Sequence, residues 1–202
     1  MSSTVIFIGP SLRLELAKQV VEAEYRPPIK RGDLAQLGPE VNRIGIIDGE
    51  FYQSLAVSPK EILPFLDRGS EVYGSSSVGA LRAVELRTYG MVGIGRVFQM
   101  YKDRIIDGDD EVALTYDPDT FRPTSEPLVN IRQALELAQK DGLVNAELAE
   151  GLIKHLKKLY FPLRSYTVVA QLCPHLKEFL FDRRPNIKQE DAISLLKTLA
   201  AR

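Results

Sequence analysis

Three consecutive serines, Ser75, Ser76 and Ser77, stand in the stretch Gly74-Ser75-Ser76-Ser77-Val78-Gly79-Ala80-Leu81-Arg82-Ala83-Val84-Glu85. Glu71-Val72-Tyr73 before them reads as a short strand rich in β-formers. After them Val78, Leu81, Val84 and Leu86 recur at helical spacing, and Ala80 and Ala83 add helix preference. The serines therefore fall on a tight strand-to-helix turn, with Gly74 and Gly79 giving the backbone room to bend. The amides of Val78 and Gly79 open the next helix, have no intrahelical acceptor, and could hold an anion. Three kinds of work fit such a turn: a nucleophile elbow, a phosphate cradle, or a helix cap. A Gly-x-Ser-x-Gly elbow would need glycine where Ser75 stands. The match is to Ser-x-Ser-x-Gly, with Ser77 as nucleophile and Ser76 as the substitute.

A serine hydroxyl needs a neighbouring base. The two histidines do not supply one: His155 lies mid-helix among lysines, and His175 follows Pro174 in the C-terminal helices. A Ser-His-Asp triad is unsupported, and a zinc site lacks ligands. Lysine remains, because a desolvated amine can lose its proton near neutral pH. Lys60 is the first choice, since it sits in the first turn of a helix where the dipole disfavours a cation. Lys30 is the second. Arg82 could neutralise an anion, or simply pair with Glu85 one turn later.

The elements that must position these residues follow from the pattern. Thr4–Ile8 and Arg43–Ile47 are continuous apolar runs, read as buried strands. Ser11 is placed to cap a helix to Val21. Ser58-Pro59-Lys60-Glu61 is a helix start with a capping box and a first-turn proline. Strand and helix alternate, as in crossovers on a mostly parallel sheet. The loops after Ile8, Ile47 and Tyr73 then emerge at one carboxyl edge, where Ser11, Asp48, Lys60 and the serines could meet. Gly90-Met91-Val92-Gly93-Ile94-Gly95 is a second glycine-rich break, but it follows a helix and lacks the dinucleotide spacing. Asp107-Gly108-Asp109-Asp110-Glu111 fails the calcium-loop spacing and reads as a solvated turn or entrance lining, ahead of a strand over 112–116. After Pro123 the chain is helical, with stripes on Leu128/Ile131/Leu135, on Leu148/Leu152/Leu156, and on Ile193/Leu196/Leu199. The expected architecture is α/β: a core of residues 1–120 carrying the serine turn, and a helical extension of residues 121–202 packed on it.

With 202 residues, 45% of them hydrophobic and 26% charged, the chain can bury a sizeable core. A net charge of −1 argues against a dedicated nucleic-acid surface. No apolar run approaches the roughly 18 residues of a membrane span. No signal peptide is visible, and the single cysteine, Cys173, fits a reducing compartment, so a cytoplasmic protein is expected. Charge is uneven: residues 151–202 carry +6 and the first 150 carry −7. The basic half is a solvated helical face or a docking face for an acidic partner.

Several segments together resemble the TfuA family: Val5-Ile6-Phe7-Ile8-Gly9-Pro10-Ser11, Arg31-Gly32-Asp33, Ile46-Ile47-Asp48-Gly49, Lys60-Glu61-Ile62-Leu63, Gly74 through Glu85, Gly90-Met91-x-Gly93-x-Gly95 and Asp109-Asp110-Glu111-Val112. They run in the family's order over residues 5–116, and Ser-x-Gly-Ala-Leu-Arg-Ala is the most distinctive string. Val78 stands where methionine is usual and Ser75 where alanine is. The resemblance implies a partner of a YcaO enzyme, which activates a peptide amide with ATP so that sulfur can replace its oxygen. It also implies a Ser-Lys hydrolase that frees sulfur from the C-terminal thiocarboxylate of a ThiS-type carrier, with no cofactor or metal. Carried over, the serine is Ser77, and Lys60 is assigned as the lysine. Val78, Gly79 and Arg82 would bind the anion, with Ser76, Asp48, Ser11 and Lys30 lining the site. Two other readings stand beside this one: a non-catalytic adaptor that aids YcaO in engaging its peptide, and a general serine hydrolase of small thioesters or peptides.

Overall fold

The computed structural model describes residues 3–51 and 55–201. The chain forms two compact units, Met1–Asp109 with Lys188–Arg202, and Asp110–Ile187. The last helix is thus part of the α/β unit, where the sequence reading placed it in a helical extension.

The first unit is a five-stranded parallel sheet in the order β2-β1-β3-β4-β5. Its strands are β1 (Ser3–Phe7), β2 (Glu24–Arg26), β3 (Val41–Ile46), β4 (Glu71–Ser75) and β5 (Val92–Ile94). The helices between them are α1 (Leu14–Lys18), α2 (Pro59–Asp67) and α3 (Val78–Leu86), with α4 (Arg96–Lys102) after β5. The chain moves outward from β1 to β2 and then returns to β1's other side as β3. That reversal between β1 and β3 opens a crevice at the carboxyl ends of the two strands.

Both sheet faces are covered, which is why the strands read as unbroken apolar runs. Val5, Phe7, Ile44, Ile46 and Val72 face α2 and α3, packing with Ile62, Phe65, Val78 and Ala83. Ile6, Ile8, Ile47 and Tyr73 face the other way, against Leu12, Ala17, Ala192, Leu195, Leu196 and Leu199. The last four belong to α9 (Ile187–Ala200).

Several local expectations change. Ser11 does not start a helix; α1 begins at Leu14 after Arg13, and the Ser11 side chain is used elsewhere. The glycine-rich break contains β5. Residues 112–116 form no strand; only an isolated bridge joins Tyr116 and Pro123. The last two residues of the acidic turn ahead of them, Asp110 and Glu111, form a clasp in the second unit. The buried Glu111 receives both Nε and Nη2 of Arg132 at 2.8 Å, and Asp110 takes Arg164 at 2.7 Å. That unit also contains α5 (Leu128–Lys140), α6 (Ala146–Lys158), α7 (Tyr166–Leu172) and α8 (Lys177–Arg183), around a core that includes Leu128, Ile131, Leu152, Leu156 and Leu180. No helix among the described residues is long and apolar enough to cross a membrane.

The glycines flanking the serines bring α3 onto the sheet. A Cβ on Gly79 would lie 1.8 Å from the Ile46 carbonyl oxygen, and one on Gly74 would lie 2.1 Å from the Gly79 oxygen. Both obstacles are backbone, so neither yields cheaply. Gly79→Ala is expected to cost about 3 kcal/mol or more. Gly151→Ala, in an exposed part of α6 with nothing within 4 Å of the added atom, should gain about 0.5–1 kcal/mol. Denaturant unfolding of both variants measures this. A Gly79→Ala protein as stable as wild type would show that α3 does not rest on Ile46.

Candidate active site at the carboxyl edge of the sheet

Asp48 follows β3 at the crevice and is buried. Its Oδ2 accepts the amides of Gly9 and Ser11, at 2.9 and 3.0 Å, and its Oδ1 accepts the Ser11 hydroxyl at 2.6 Å. Ser11 Oγ in turn accepts the hydroxyl of Ser76 at 2.8 Å. Every member of this chain is buried, so each hydrogen bond replaces one that water would otherwise supply. It joins the loops after β1, β3 and β4, the three loops the sequence placed together. Ser76 sits at φ 66°, a left-handed conformation that serine seldom adopts. The hydrogen bond to Ser11 holds it there, and the kink turns the chain sharply from β4 into α3.

Ser77, the next residue, is the N-cap of α3, yet its side chain makes no capping hydrogen bond. Its Oγ instead lies 3.1 Å from Nζ of Lys188, which donates to it. Both residues are only 2% exposed. A purely capping serine would turn its oxygen to the helix amides; this one faces an amine. The phosphate-cradle alternative loses support as well. The Gly79 amide donates to the Ile47 carbonyl at 3.4 Å and the Ser77 amide to the Ser75 carbonyl at 2.7 Å. Val78, first residue of α3, keeps an amide without an intrahelical acceptor.

The lysine at the serine is therefore not either of those chosen from the sequence. Lys60 and Lys30 are exposed, and neither amine has a hydrogen bond or ion pair among the described residues. Lys60 does occupy the first turn of α2, but its neighbour Glu61 carries the structural role. The Glu61 carboxylate accepts the amides of Ser58 and Gly32 at 2.9 and 2.7 Å, tying α2 to the Arg31-Gly32-Asp33 loop. Arg82 is committed to the Val57 carbonyl at 2.8 Å and to Glu85 at 2.6 Å, the structural pairing left open by its spacing.

Lys188 carried one legible sign. It falls on the buried stripe of α9, at helical spacing from Ala192, Leu195 and Leu199, where a charged residue needs a reason. Asp191, one turn on, is the other charge on that side of the helix. Its carboxylate accepts the amides of Arg96 at 2.8 Å and Val97 at 2.7 Å, at the start of α4. Gly95 makes room: its φ is 95°, and a Cβ there would lie 2.2 Å from the Asp191 carboxyl carbon. Burial pushes the Asp191 carboxyl up to about 6, against the pull of those two amides. Among the described residues no group of three or more His, Cys, Asp or Glu could hold a metal ion.

The sequence model of TfuA-like proteins matches residues 48–165, more than half of the chain. The chain belongs to the TfuA-like family. No curated protein matched it. Asp48, Ser76 and Ser77 of this TfuA-like protein lie inside the matched segment, whereas Ser11 and Lys188 lie outside it.

Asp191 yields a pH prediction. Its folded-state value lies above the ordinary 3.8, so folding favours the protonated acid. The associated stability is complete below about 4 and is lost as pH rises through about 6, at no more than about 1.4 kcal/mol per pH unit. Asp191→Asn lacks this titration, so wild type should lose stability relative to the variant between pH 4.5 and 7.5 (roughly the window of that shift). Chemical unfolding of the two proteins at both pH values checks it. A pH-independent difference would show that Asp191 does not titrate in this range.

Proposed function

We propose that this TfuA-like protein is a serine–lysine hydrolase that releases sulfide from the C-terminal thiocarboxylate of a ThiS-type carrier, supplying a YcaO enzyme for peptide thioamidation. One observation carries the reading: Lys188 Nζ within 3.1 Å of Ser77 Oγ, with both side chains almost wholly out of water. Burial disfavours an ammonium, and so does the first turn of α9, where the helix dipole is positive. A neutral Lys188 can then accept the Ser77 proton.

The steps balance without a cofactor. The Ser77 proton passes to Lys188 Nζ as Oγ bonds to the thioacid carbon. The C–S bond breaks, Lys188 returns the proton to sulfur, and hydrosulfide leaves. Water then gives a proton to Lys188 and its oxygen bonds to the acyl carbon. The ester C–O bond breaks, Lys188 reprotonates Ser77, and the carrier departs as a carboxylic acid that gives its remaining proton to solvent and becomes the carboxylate. The Val78 amide is available to the developing oxyanion. Asp48 and Ser11 touch no reacting atom in this scheme; they position Ser76 and, through it, Ser77.

The same burial favours a second reading, in which the serine–lysine contact is a structural hydrogen bond and the protein is a YcaO-binding adaptor. Thiocarboxylated carrier separates the two. Wild type should release sulfide and return plain carboxylate carrier. Ser77→Ala and Lys188→Ala should each lose about 10²-fold or more of that rate, and Lys60→Ala should stay close to wild type. Full activity in Lys188→Ala would remove the assigned base, and no release by wild type would leave the adaptor.

Asp48→Asn can keep an oxygen on the amides of Gly9 and Ser11 but then puts an Nδ2 donor against the Ser11 hydroxyl, which donates to Asp48 in the native chain. Its kcat should fall about 10²-fold with KM little changed, since a small misplacement of the nucleophile is costly. Ser11→Thr, which keeps the hydroxyl, should retain far more activity than Ser11→Ala. Equal losses in the two Ser11 variants would mean that the hydroxyl relay does not position the serine.

A further inference from the structure

The second unit contains a cavity that the serine chemistry does not use. It is an open groove of about 520 Å³ bordered by Arg122, Glu126, Tyr166, Phe181, Arg184 and Asn186. That is within the range of ligand sites.

The backbone beneath its two arginines is held in tight turns. Arg122 follows a tight turn in which Asp117 Oδ1 accepts the amides of Asp119 and Thr120 and the Thr120 hydroxyl, at 3.2, 2.9 and 2.7 Å. Phe121, just before it, is held at φ 55° and packs on Tyr116. Arg184 terminates α8 with φ 42° and ψ 59°, a position where glycine or asparagine is usual. An arginine there is strained in its backbone. Its Nε donates to the Phe181 carbonyl at 3.1 Å. Neither guanidinium is paired with a carboxylate among the described residues. The Arg122 guanidinium and the terminal Nη groups of Arg184 leave donors that can meet an oxyanion.

The remaining lining narrows the ligand. Tyr166 donates to the Pro185 carbonyl, and Asn186 Oδ1 accepts Asn130 Nδ2 at 3.1 Å, so the wall is fixed by internal hydrogen bonds. Burial raises the Tyr166 phenol, as does Glu126, which keeps the hydroxyl protonated. Glu126 is the one carboxylate of the lining, beside two guanidinium groups, so the cavity carries about one net positive charge. A triphosphate would bring too many negative charges, and the lining has neither glycine nor an open helix start. The first turn of α7 is already capped by Ser165, whose Oγ accepts the Val168 amide at 3.2 Å. Phe181, 38% exposed, with Pro123 and Pro185, offers apolar surface beside the charge.

We infer that this cavity binds a peptide segment through a single carboxylate adjoining an apolar side chain, with Arg122 and Arg184 clamping the carboxylate and Phe181 taking the apolar group. The inference does not depend on Ser77 chemistry.

The test uses the full chain and amide NMR. The probes are acetyl-Gly-X-Glu-Gly amides with X as Phe, Leu or Tyr, their glutamine counterparts, inorganic phosphate and ATP. At least one glutamate peptide should shift the amides of Thr167, Phe181, Arg184 and Asn186, and bind about tenfold or more tightly than its glutamine twin. Arg122→Glu with Arg184→Glu should lose that binding and accept the lysine version of the same peptide, which shows that the altered cavity remains folded. Equal binding of glutamate and glutamine peptides would overturn the inference. So would no shift at about 5 mM peptide, or preferential capture of phosphate or ATP at these residues.

Discussion

A carboxylate buried where the order of the sheet reverses sets the rest of the first unit. Asp48 can remain there only because three donors meet it, and all three come from the loop after β1. Leaving any one unmade would expose the full desolvation cost of a buried charge-assisted hydrogen bond. The loop is therefore pinned, and Ser11 with it, which in turn fixes Ser76 in a conformation serine would not choose alone. The sharp entry to α3 follows, and Gly74 and Gly79 let that helix settle against β3 and β4 without a side chain between them.

The second constraint is long in sequence. Lys188 and Ser77 are 111 residues apart, and Asp191 reaches Val97 across 94. Both come from α9, which the chain delivers to the sheet only after the whole of residues 110–187 has been made. Loop-closure entropy rises slowly with length, so such a return is affordable once α9 buries Ala192, Leu195, Leu196 and Leu199 on the sheet. The two polar residues ride on that apolar contact. Asp191 fixes the start of α4, and Lys188 meets the serine turn, so one helix both closes the core and completes the candidate site.

That division explains what could be read from residues alone. Continuous apolar runs marked β1 and β3 because both faces of those strands are buried, and the serine turn was visible from its glycines and the helical spacing after it. Ser11 and Asp48 were placed near it by the geometry of parallel strands, without any need to know their partners. Lys60 looked suitable because a first-turn lysine is electrostatically disfavoured, and that reasoning applies equally to Lys188, also in a first turn. Local sequence could not choose between them, since the choice depends on which helix returns to the sheet. The glycine-rich segment does separate two helices, with Gly90 and Gly95 at positive φ, but the strand inside it was hidden for a related reason. Gly93 lies under the Phe98 ring and Gly95 under Asp191, so these glycines also answer to neighbours distant from the local pattern. β2 and β5 are three residues each, too short for periodicity to register.

On the proposed chemistry, the absence of a histidine from the serine turn has a physical rationale. An amide leaving group needs a proton from a positioned acid, which an imidazolium supplies well. Hydrosulfide leaves more readily, so a single amine that removes and returns one proton is sufficient. The same dry surroundings that would favour a neutral amine at Lys188 would repel an anionic thiocarboxylate from the site. Binding energy from the rest of a protein-sized carrier can offset that cost, whereas a free thioacid brings little of it. A buried serine–lysine pair therefore suits a substrate presented on a folded carrier, and the scarcity of water around it protects the acyl intermediate until the amine is free to activate a water molecule.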